Sequence, residues 1–273
     1  MERKVAIIGN NFLTELIITA SYKHSKSDTS NFYVYGEDEE HLKKISENYG
    51  VHLIKNLDEL SEIKFVVLAL NYDHATKILQ RIKNFISKDT LVVSWIYNFS
   101  ISEIIKFFPV QSIIRGVFTP IVISGSGIFS YCVGKVNAKD SESFAEFFFS
   151  NLGKIIKVKS EKELEIISKI ILSETIASYL EINAMIESGI KAGLTRETSI
   201  EIATGIMSGT IRTLTVKDPV IEYLLTKANE EKNLQEMIDE AKKIISEYEM
   251  WNFAKDNTES AKKSLLKFHY NWM

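Results

Sequence analysis

The chain has 273 residues, 45% of them hydrophobic and 25% charged, and its 33 basic and 36 acidic side chains give a formal net charge of -3. This composition is typical of a globular protein with one large domain or two of ordinary size. Because Lys and Arg alternate with Asp and Glu throughout, no basic stripe is available to neutralise several phosphates, so nucleic acid is excluded as the main partner.

Membrane insertion and metal binding are not expected either. The longest stretch without a charged residue, Gly116 to Gly134, contains Pro120 and several glycines and serines, which favour short strands and turns over a membrane helix. The first apolar run stops at Gly9, too short for the core of a signal peptide, which predicts a cytoplasmic protein. The single cysteine, Cys132, excludes an intrachain disulfide, and the five histidines lack the spacing of metal ligands.

From residue 1 to about residue 158, short β-branched runs alternate with segments of helical spacing. The strand-like runs are Val5 to Ile8, Phe32 to Tyr35, Phe65 to Leu70, Leu91 to Ser94 and Ile113 to Val117. Such alternation predicts an α/β, Rossmann-like domain with a doubly wound parallel sheet covered by helices on both faces. Between two of the runs, Ser100 and Glu103 have the spacing of a capping box at a helix start.

Near Val158 the pattern changes. The segment Ser160 to Glu163 predicts a second capping box, and the rest of the chain is predicted to be all-helical, with further helix starts at Thr195 and at Pro219. Apolar spacing from Leu234 to Tyr248 predicts an amphipathic helix. The predicted organisation is a Rossmann-like α/β domain over residues 1–158 and an all-helical domain over residues 159–273.

The first strand-turn-helix is the place where a doubly wound domain binds the pyrophosphate of a dinucleotide. The chain there has Gly9, Asn10, Asn11, Phe12 and Leu13, at the position of a G-x-G-x-x-G fingerprint. These five residues are predicted to contact the cofactor. Only the first glycine of the fingerprint is present, so an ordinary βα turn remains an equal alternative.

Acidic residues follow the second predicted strand. Glu37 stands where such a domain contacts the adenosine ribose, and a carboxylate there favours the 2′-hydroxyl of NAD over the 2′-phosphate of NADP. NAD is therefore the favoured cofactor, ahead of NADP. The alternative is that Glu37 belongs to a solvated acidic helix N-terminus that binds no ligand.

Six segments share their order and spacing with one known family: Phe65 to Leu70, Leu91 to Ser94, Ile101 to Pro109, Ile113 to Gly116 with Thr119-Pro120, Ala184 to Glu197, and Met207 to Thr210. Together they resemble pyrroline-5-carboxylate reductases. The resemblance covers roughly residues 3 to 215. It implies that residues 1–158 form a Rossmann-like dinucleotide-binding domain that holds NAD or NADP, and that residues 159–273 form a helical dimerisation and substrate domain that makes a homodimer. It also implies hydride transfer to a small cyclic imine in proline biosynthesis.

The resemblance also implies positions for the site. Asn71 and Tyr72 stand where the family has Lys-Pro after its fourth strand, and Thr119 belongs to a Thr-Pro pair that the family shares, so these three are predicted to contact the cofactor. The predicted substrate contacts lie on the helix that corresponds to a Pro-Ala-Tyr segment of the family: Ser173, Thr175 and Tyr179. No catalytic residue is assigned.

Two departures from the family concern function directly. The segment Trp95 to Asn98 replaces small residues that line the family's cofactor groove. Residues 210–273 contain no glycine, whereas the family binds the substrate carboxylate in a glycine-rich turn whose amides form an anion cradle. Two hypotheses remain: an NAD(P)-dependent oxidoreductase that reduces a small cyclic imine, or a non-catalytic dimeric scaffold, regulator or partner subunit that has lost cofactor binding.

Overall fold

The computed structural model describes residues 4–9, 12–24, 29–135 and 139–215. Its strands are β1 (Val5–Ile8), β2 (Phe32–Tyr35), β3 (His52–Leu53), β4 (Phe65–Leu68), β5 (Leu91–Ser94), β6 (Ser112–Phe118), β7 (Gly127–Lys135) and β8 (Gly153–Lys157). They form one sheet in the order β3-β2-β1-β4-β5-β6-β7-β8. Neighbouring strands are parallel, except that β6 and β7 are antiparallel.

Helices connect these strands and continue beyond the sheet. The α-helices are α1 (Phe12–His24), α2 (Glu39–Tyr49), α3 (Tyr72–Ile82), α4 (Ile101–Ile105), α5 (Lys139–Ser150), α6 (Glu161–Lys191) and α7 (Arg196–Thr215). Short 3-10 helices span Thr29–Asn31, Leu57–Glu62 and Pro120–Ser124. None of the helices in the described part of the chain is long and apolar enough to cross a bilayer.

Two hydrophobic cores cover the two faces of the sheet. In β1, Val5 and Ile7 face the core formed with α1, α2 and α5, while Ala6 and Ile8 face the core formed with α3 and α4. Because both faces are covered, the parallel strands are continuous apolar runs with no polar alternation. The predicted doubly wound sheet is confirmed.

The five predicted strands are present, and the structure adds three more. The run predicted over Phe65 to Leu70 ends as a strand at Leu68, because the next residues lead into α3. The additional strands are β3, β7 and β8. The predicted capping box of Ser100 is present, with Glu103 N–H donating to its hydroxyl and Ser100 N–H donating to Glu103.

The predicted helix starts at Ser160 and Thr195 are also present. Glu163 N–H donates to Ser160 Oγ, although the Glu163 carboxylate accepts from Lys159 N–H instead of Ser160 N–H. Thr198 N–H donates to Thr195 Oγ1 at the start of α7. The helices predicted from Pro219 and from Leu234 to Tyr248 lie outside the described residues.

A buried arginine ties the start of α6 to the sheet. Arg115, on β6, is 5% exposed, and its guanidinium lies 2.7 Å from Glu161 Oε1. The same oxygen accepts a hydrogen bond from Ile101 N–H at the start of α4. One carboxylate therefore joins a strand and two helices.

Two compact units divide the chain, Met1–Leu172 and Ser173–Met273. Strand β8 ends at Lys157, and α6 begins at Glu161. The division of the units falls later, inside α6, because Leu164 packs with Cys132 and Val158 against the sheet. The first turns of α6 therefore belong to the sheet unit.

Replacing Arg115 with Leu should destabilise the protein by about 2 to 4 kcal/mol, because it leaves the carboxylate of Glu161 partly buried without its cation. Urea unfolding measures the loss. The matched control is Lys4→Gln, which breaks an exposed pair with Glu62 of 3.0 Å and should cost less than about 1 kcal/mol. Equal losses in the two variants would contradict the anchoring role of Arg115.

Candidate cofactor site

The carboxyl ends of the parallel strands form one edge of the sheet, and the strand order reverses between β1 and β4. From β1 the chain proceeds to β2 and β3 on one side, whereas β4, β5 and β6 follow on the other. Gly9 N–H donates to Tyr35 O at 2.7 Å, and Ala69 N–H donates to Ile8 O at 2.8 Å. Ligands of doubly wound sheets bind in the crevice at such a reversal.

Gly9 closes this point of reversal because it has no side chain. A Cβ at Gly9 would overlap the carbonyl oxygen of Ala69 and would lie 2.7 Å from Thr14 Oγ1. The backbone after β1 therefore packs directly on the backbone after β4. The glycine is needed for this close approach as well as for the turn.

The first turn of α1 begins at the same edge. The side chains of Phe12 and Leu13 are partly buried against the core that contains α1. Helix N-terminal amides and the helix dipole favour an anion at such a position. Asn10 and Asn11, the other predicted contacts in this turn, lie outside the described residues.

Glu37, just beyond β2, is held by cations from α3. Its Oε1 lies 2.6 Å from Lys77 Nζ and 3.3 Å from the Arg81 guanidinium, and its Oε2 lies 3.8 Å from His74 Nδ1. The hydrogen bond from Lys77 is the main reason why the pKa of the Glu37 carboxyl falls below its ordinary value. The carboxylate that was predicted to contact the ribose is therefore charged and already paired.

Sequence reasoning missed these three α3 residues. Their spacing, at positions 74, 77 and 81, places them along one face of a helix, and this periodicity was the available signal. The sequence alone did not show that this face lies against Glu37, because β3 and β4 separate Glu37 from α3 along the chain.

Asn71 and Tyr72 lie where β4 passes into α3. Asn71 is the N-cap residue of α3, although its side chain makes no capping hydrogen bond. The Tyr72 ring is 52% exposed and meets Phe99 edge to face, with ring centroids 5.9 Å apart. Tyr72 thus presents an exposed aromatic ring at the edge next to β1, and the contact with Phe99 holds the ring on one side.

Thr119 follows β6 at the same edge, but its side chain is buried. Its hydroxyl accepts a hydrogen bond from Ile128 N–H at 2.9 Å, and its own N–H donates to Ile128 O. These bonds close the connection between β6 and β7. Ile128 N–H uses one lone pair of this hydroxyl, so a cofactor contact would have to use its O–H donor or its second lone pair.

The two residues directly after β5 are buried, whereas Tyr97, the next residue, is 49% exposed. Trp95 packs with Phe118, Phe129 and Phe149 in the core that contains α1, and Ile96 packs in the opposite core. Gly116 makes room for the indole, since a Cβ there would lie 3.1 Å from Trp95 Nε1 and closer still to Phe129. Trp95 and Ile96 therefore occupy the interior.

The predicted substrate contacts lie on α6 in the second unit. Thr175 and Tyr179 are one helical turn apart and share a face, whereas Ser173 points to nearly the opposite side. Thr175 and Tyr179 are partly buried, and Ser173 is exposed. The helix therefore groups two of the three hydroxyls.

Metal chemistry has no support from the described residues, since no three His, Cys, Asp or Glu side chains among them are placed to hold an ion. The buried thiol of Cys132 is unsuited to nucleophilic chemistry at neutral pH. Burial, with a smaller contribution from the charge of Glu161, raises its pKa to about 11.

The first part of the chain matches a known family model. Residues 4–98 match the family model described as NADP oxidoreductase coenzyme F420-dependent. That range runs from the start of β1 to the loop after β5 and includes Gly9, Glu37, Asn71 and Tyr72. No curated protein matches the chain.

Solved structures match over almost the whole chain. The pyrroline carboxylate reductase of Plasmodium falciparum, with NADP bound, is 20% identical, with a TM-score of 0.77 over 96% of this chain and 98% of that one. The pyrroline-5-carboxylate reductase of Coxiella burnetii is 19% identical, with a TM-score of 0.73 over 96% and 98%. That of Streptococcus pyogenes is 15% identical, with a TM-score of 0.74 over 95% and 98%. The predicted likeness to these reductases is confirmed at the level of the fold.

Replacing Gly9 with Ala should reduce the free energy of unfolding by about 3 kcal/mol, because the new methyl group overlaps the Ala69 carbonyl. Chemical denaturation measures the loss. The control is Gly50→Ala, which also introduces a side chain at positive φ but meets nothing within 4 Å, so only the backbone strain of about 1 kcal/mol is expected. A loss no larger than that of the control would show that the β1 and β4 ends separate easily.

Proposed function

We propose that this protein is a nicotinamide-dependent oxidoreductase of the pyrroline-5-carboxylate reductase kind, acting on a small cyclic imine. The observation that carries the proposal is the edge where Gly9 packs on Ala69, at the reversal of strand order and beside the N-terminus of α1. The likeness to pyrroline carboxylate reductases, one of them with NADP bound, supports it.

The residues at this edge fit a dinucleotide. The first turn of α1 would bind the pyrophosphate through backbone amides, and the side chains of Phe12 and Leu13 pack partly against the core beside it. The adenosine half would lie towards the end of β2 and Glu37. The nicotinamide half would then lie towards β4 and β5, where Tyr72 and Asn71 are found.

When bound, a reduced nicotinamide supplies a hydride to the imine carbon, and the imine nitrogen takes a proton. The task of this chain is to orient the two rings. Tyr72 is suited to this task because its exposed ring is backed by Phe99 and can stack on a planar group. On α6, Thr175 and Tyr179 share a face, and with Ser173 they are our proposed substrate contacts.

We expect this chain to differ from the family in how it binds the carboxylate of the substrate. A carboxylate in the family is bound by backbone amides of a glycine-rich turn, and residues 210–273 of this chain contain no glycine. We therefore expect weak reduction of pyrroline-5-carboxylate itself. The absence of the glycine-rich turn should weaken the binding of a cyclic imine without a carboxylate less than that of pyrroline-5-carboxylate.

The second candidate function is that of a non-catalytic dimer. Exposed apolar residues on α7 favour dimerisation. Ile202, Ile206 and Ile211 are each about half exposed, and nothing lies within 4 Å of the positions where Gly205 and Gly209 would carry a Cβ. A partner helix could approach closely at such positions. We propose a homodimer through the helical domain in either case, so dimerisation does not separate the two functions.

Titration with NADH and with NADPH separates them, because the oxidoreductase should bind at least one cofactor and the non-catalytic dimer should bind neither. Replacing Tyr72 with Ala should raise the dissociation constant by about tenfold, and Tyr72→Phe should change it little, because stacking needs the ring and not the hydroxyl. Cofactor fluorescence measures both.

The control for this variant is Tyr22→Ala. Tyr22 is similarly exposed and also meets an aromatic neighbour edge to face, Tyr49, but it lies near the C-terminal end of α1, away from the cofactor edge. Equal weakening by the two variants would remove Tyr72 from the site. Oxidation of NADPH or NADH in the presence of 1-pyrroline, compared with pyrroline-5-carboxylate, then tests the reaction and the expected weak use of the carboxylate.

Sedimentation velocity at micromolar concentration should show a dimer, because the exposed isoleucines of α7 would otherwise remain in water. Replacing Ile206 with Glu should shift the population towards monomer. The surface control is Glu201→Lys, which changes an exposed charge on the same helix and should leave the dimer intact. A monomeric wild-type protein at this concentration would refute the homodimer.

A further inference from the structure

Glu37 differs in its contacts from Asp38 and Glu40, two acidic residues that follow it in sequence. The Asp38 carboxylate accepts a hydrogen bond from His41 N–H and caps α2, and the Glu40 carboxylate pairs with Lys44 at 2.9 Å on the same helix. Glu37 instead reaches across to α3. Of these three carboxylates, two are therefore used locally by α2, and that of Glu37 meets cations from another element.

The cations around Glu37 outnumber it. Lys77 and Arg81 are one helical turn apart on α3, and both approach the same oxygen, Oε1, at 2.6 and 3.3 Å. Even with His74 neutral, these groups together carry a net positive charge. The side chains of Lys77 and Arg81 are more than half exposed, whereas that of Glu37 is 28% exposed, so the outer surface of the cluster is the cationic part.

Both cations retain donors. A lysine ammonium has three N–H donors and an arginine guanidinium has five, and one acceptor oxygen of Glu37 leaves most of them for another ligand. A guanidinium beside an ammonium is a suitable pair for a phosphomonoester, which carries a charge between -1 and -2 at neutral pH and offers several acceptor oxygens. A ribose hydroxyl would leave this charge unused.

We infer that Lys77 and Arg81 bind the 2′-phosphate of an NADP-type dinucleotide and that Glu37 is their counter-ion, not the ribose-binding residue. This assignment rests on the proposed function, because it places the adenosine half at the end of β2. It reverses the preference for NADH that the acidic residues after β2 predict. The reason is that the prediction took Glu37 as an uncompensated negative charge, and the structure places two permanent cations against it.

Dissociation constants for NADPH and NADH, measured side by side at one salt concentration, test the assignment. Lys77→Gln and Arg81→Gln should each weaken NADPH by about tenfold and change NADH by less than about twofold, because only NADPH carries the phosphate. Glu37→Gln should tighten NADPH, since it removes a like charge and releases donors. The NADH constant also serves as the folding control for each variant.

The matched control is Lys44→Gln, which removes a lysine that is paired with a glutamate in the same way but lies on α2. It should leave the ratio of the two constants unchanged. A ratio that Lys77→Gln and Arg81→Gln fail to move would overturn the assignment, as would a Glu37→Gln variant that loses NADH selectively, because that result makes Glu37 the ribose-binding residue.

The adenosine half can be tested alone with adenosine 2′,5′-bisphosphate and 5′-AMP. The bisphosphate should bind more tightly than 5′-AMP to the wild-type protein and lose that advantage in Arg81→Gln. If both dinucleotides bind but the bisphosphate has no advantage, the assignment fails and the proposed function stands. If neither dinucleotide binds, the proposed function fails and the assignment fails with it.

Discussion

The backbone contact between Gly9 and Ala69 is the constraint on which the candidate site depends. It joins the ends of β1 and β4 at the point where the order of strands reverses, and a side chain at Gly9 would force the two apart. The neighbouring hydrogen bond from Gly9 N–H to Tyr35 O fixes the end of β2 to the same point. The start of α1, the loop that carries Glu37 and the start of α3 therefore hold fixed positions relative to one another, which is the preorganisation that a long, two-ended ligand requires.

Much of the fold could be predicted from the sequence because the central strands are buried on both faces. Their continuous apolar runs leave little room for another interpretation, and all five predicted runs are strands. The additional strands lack that signal. β3 has only two residues, β8 contains Lys154 and Lys157 as suits a strand at the edge of the sheet, and β7 is interrupted by Ser130 and Gly134. The antiparallel pairing of β7 with β6 is a tertiary contact that no local sequence pattern encodes.

The site was less predictable because its electrostatics depend on residues that are distant in sequence. Glu37 could be identified from its place after a strand, but the sign of the local charge is decided by Lys77 and Arg81, two strands further along. The same limit applies to Trp95. The sequence shows that Trp95 replaces a small residue of the family's cofactor groove, and only the pairing of β5 with β6 shows that Gly116 lies opposite and leaves space for the indole within the core. In both cases a local interpretation omitted the compensating neighbour.

This compensation bears on whether the departures from the reductase family indicate lost function. A chain that no longer binds a dinucleotide has no need to keep the switch-point edge clear, so bulky residues after β5 could project into it without penalty. Here Trp95 and Ile96 are directed into the two cores, and two tyrosines, Tyr72 and Tyr97, are about half exposed, of which Tyr72 is backed by Phe99. Placing a Trp in the core requires a glycine on the neighbouring strand, and that requirement is met at Gly116. The bulky replacements directly after β5 are thus accommodated in the interior, and their size is not by itself a sign that the edge has lost a ligand.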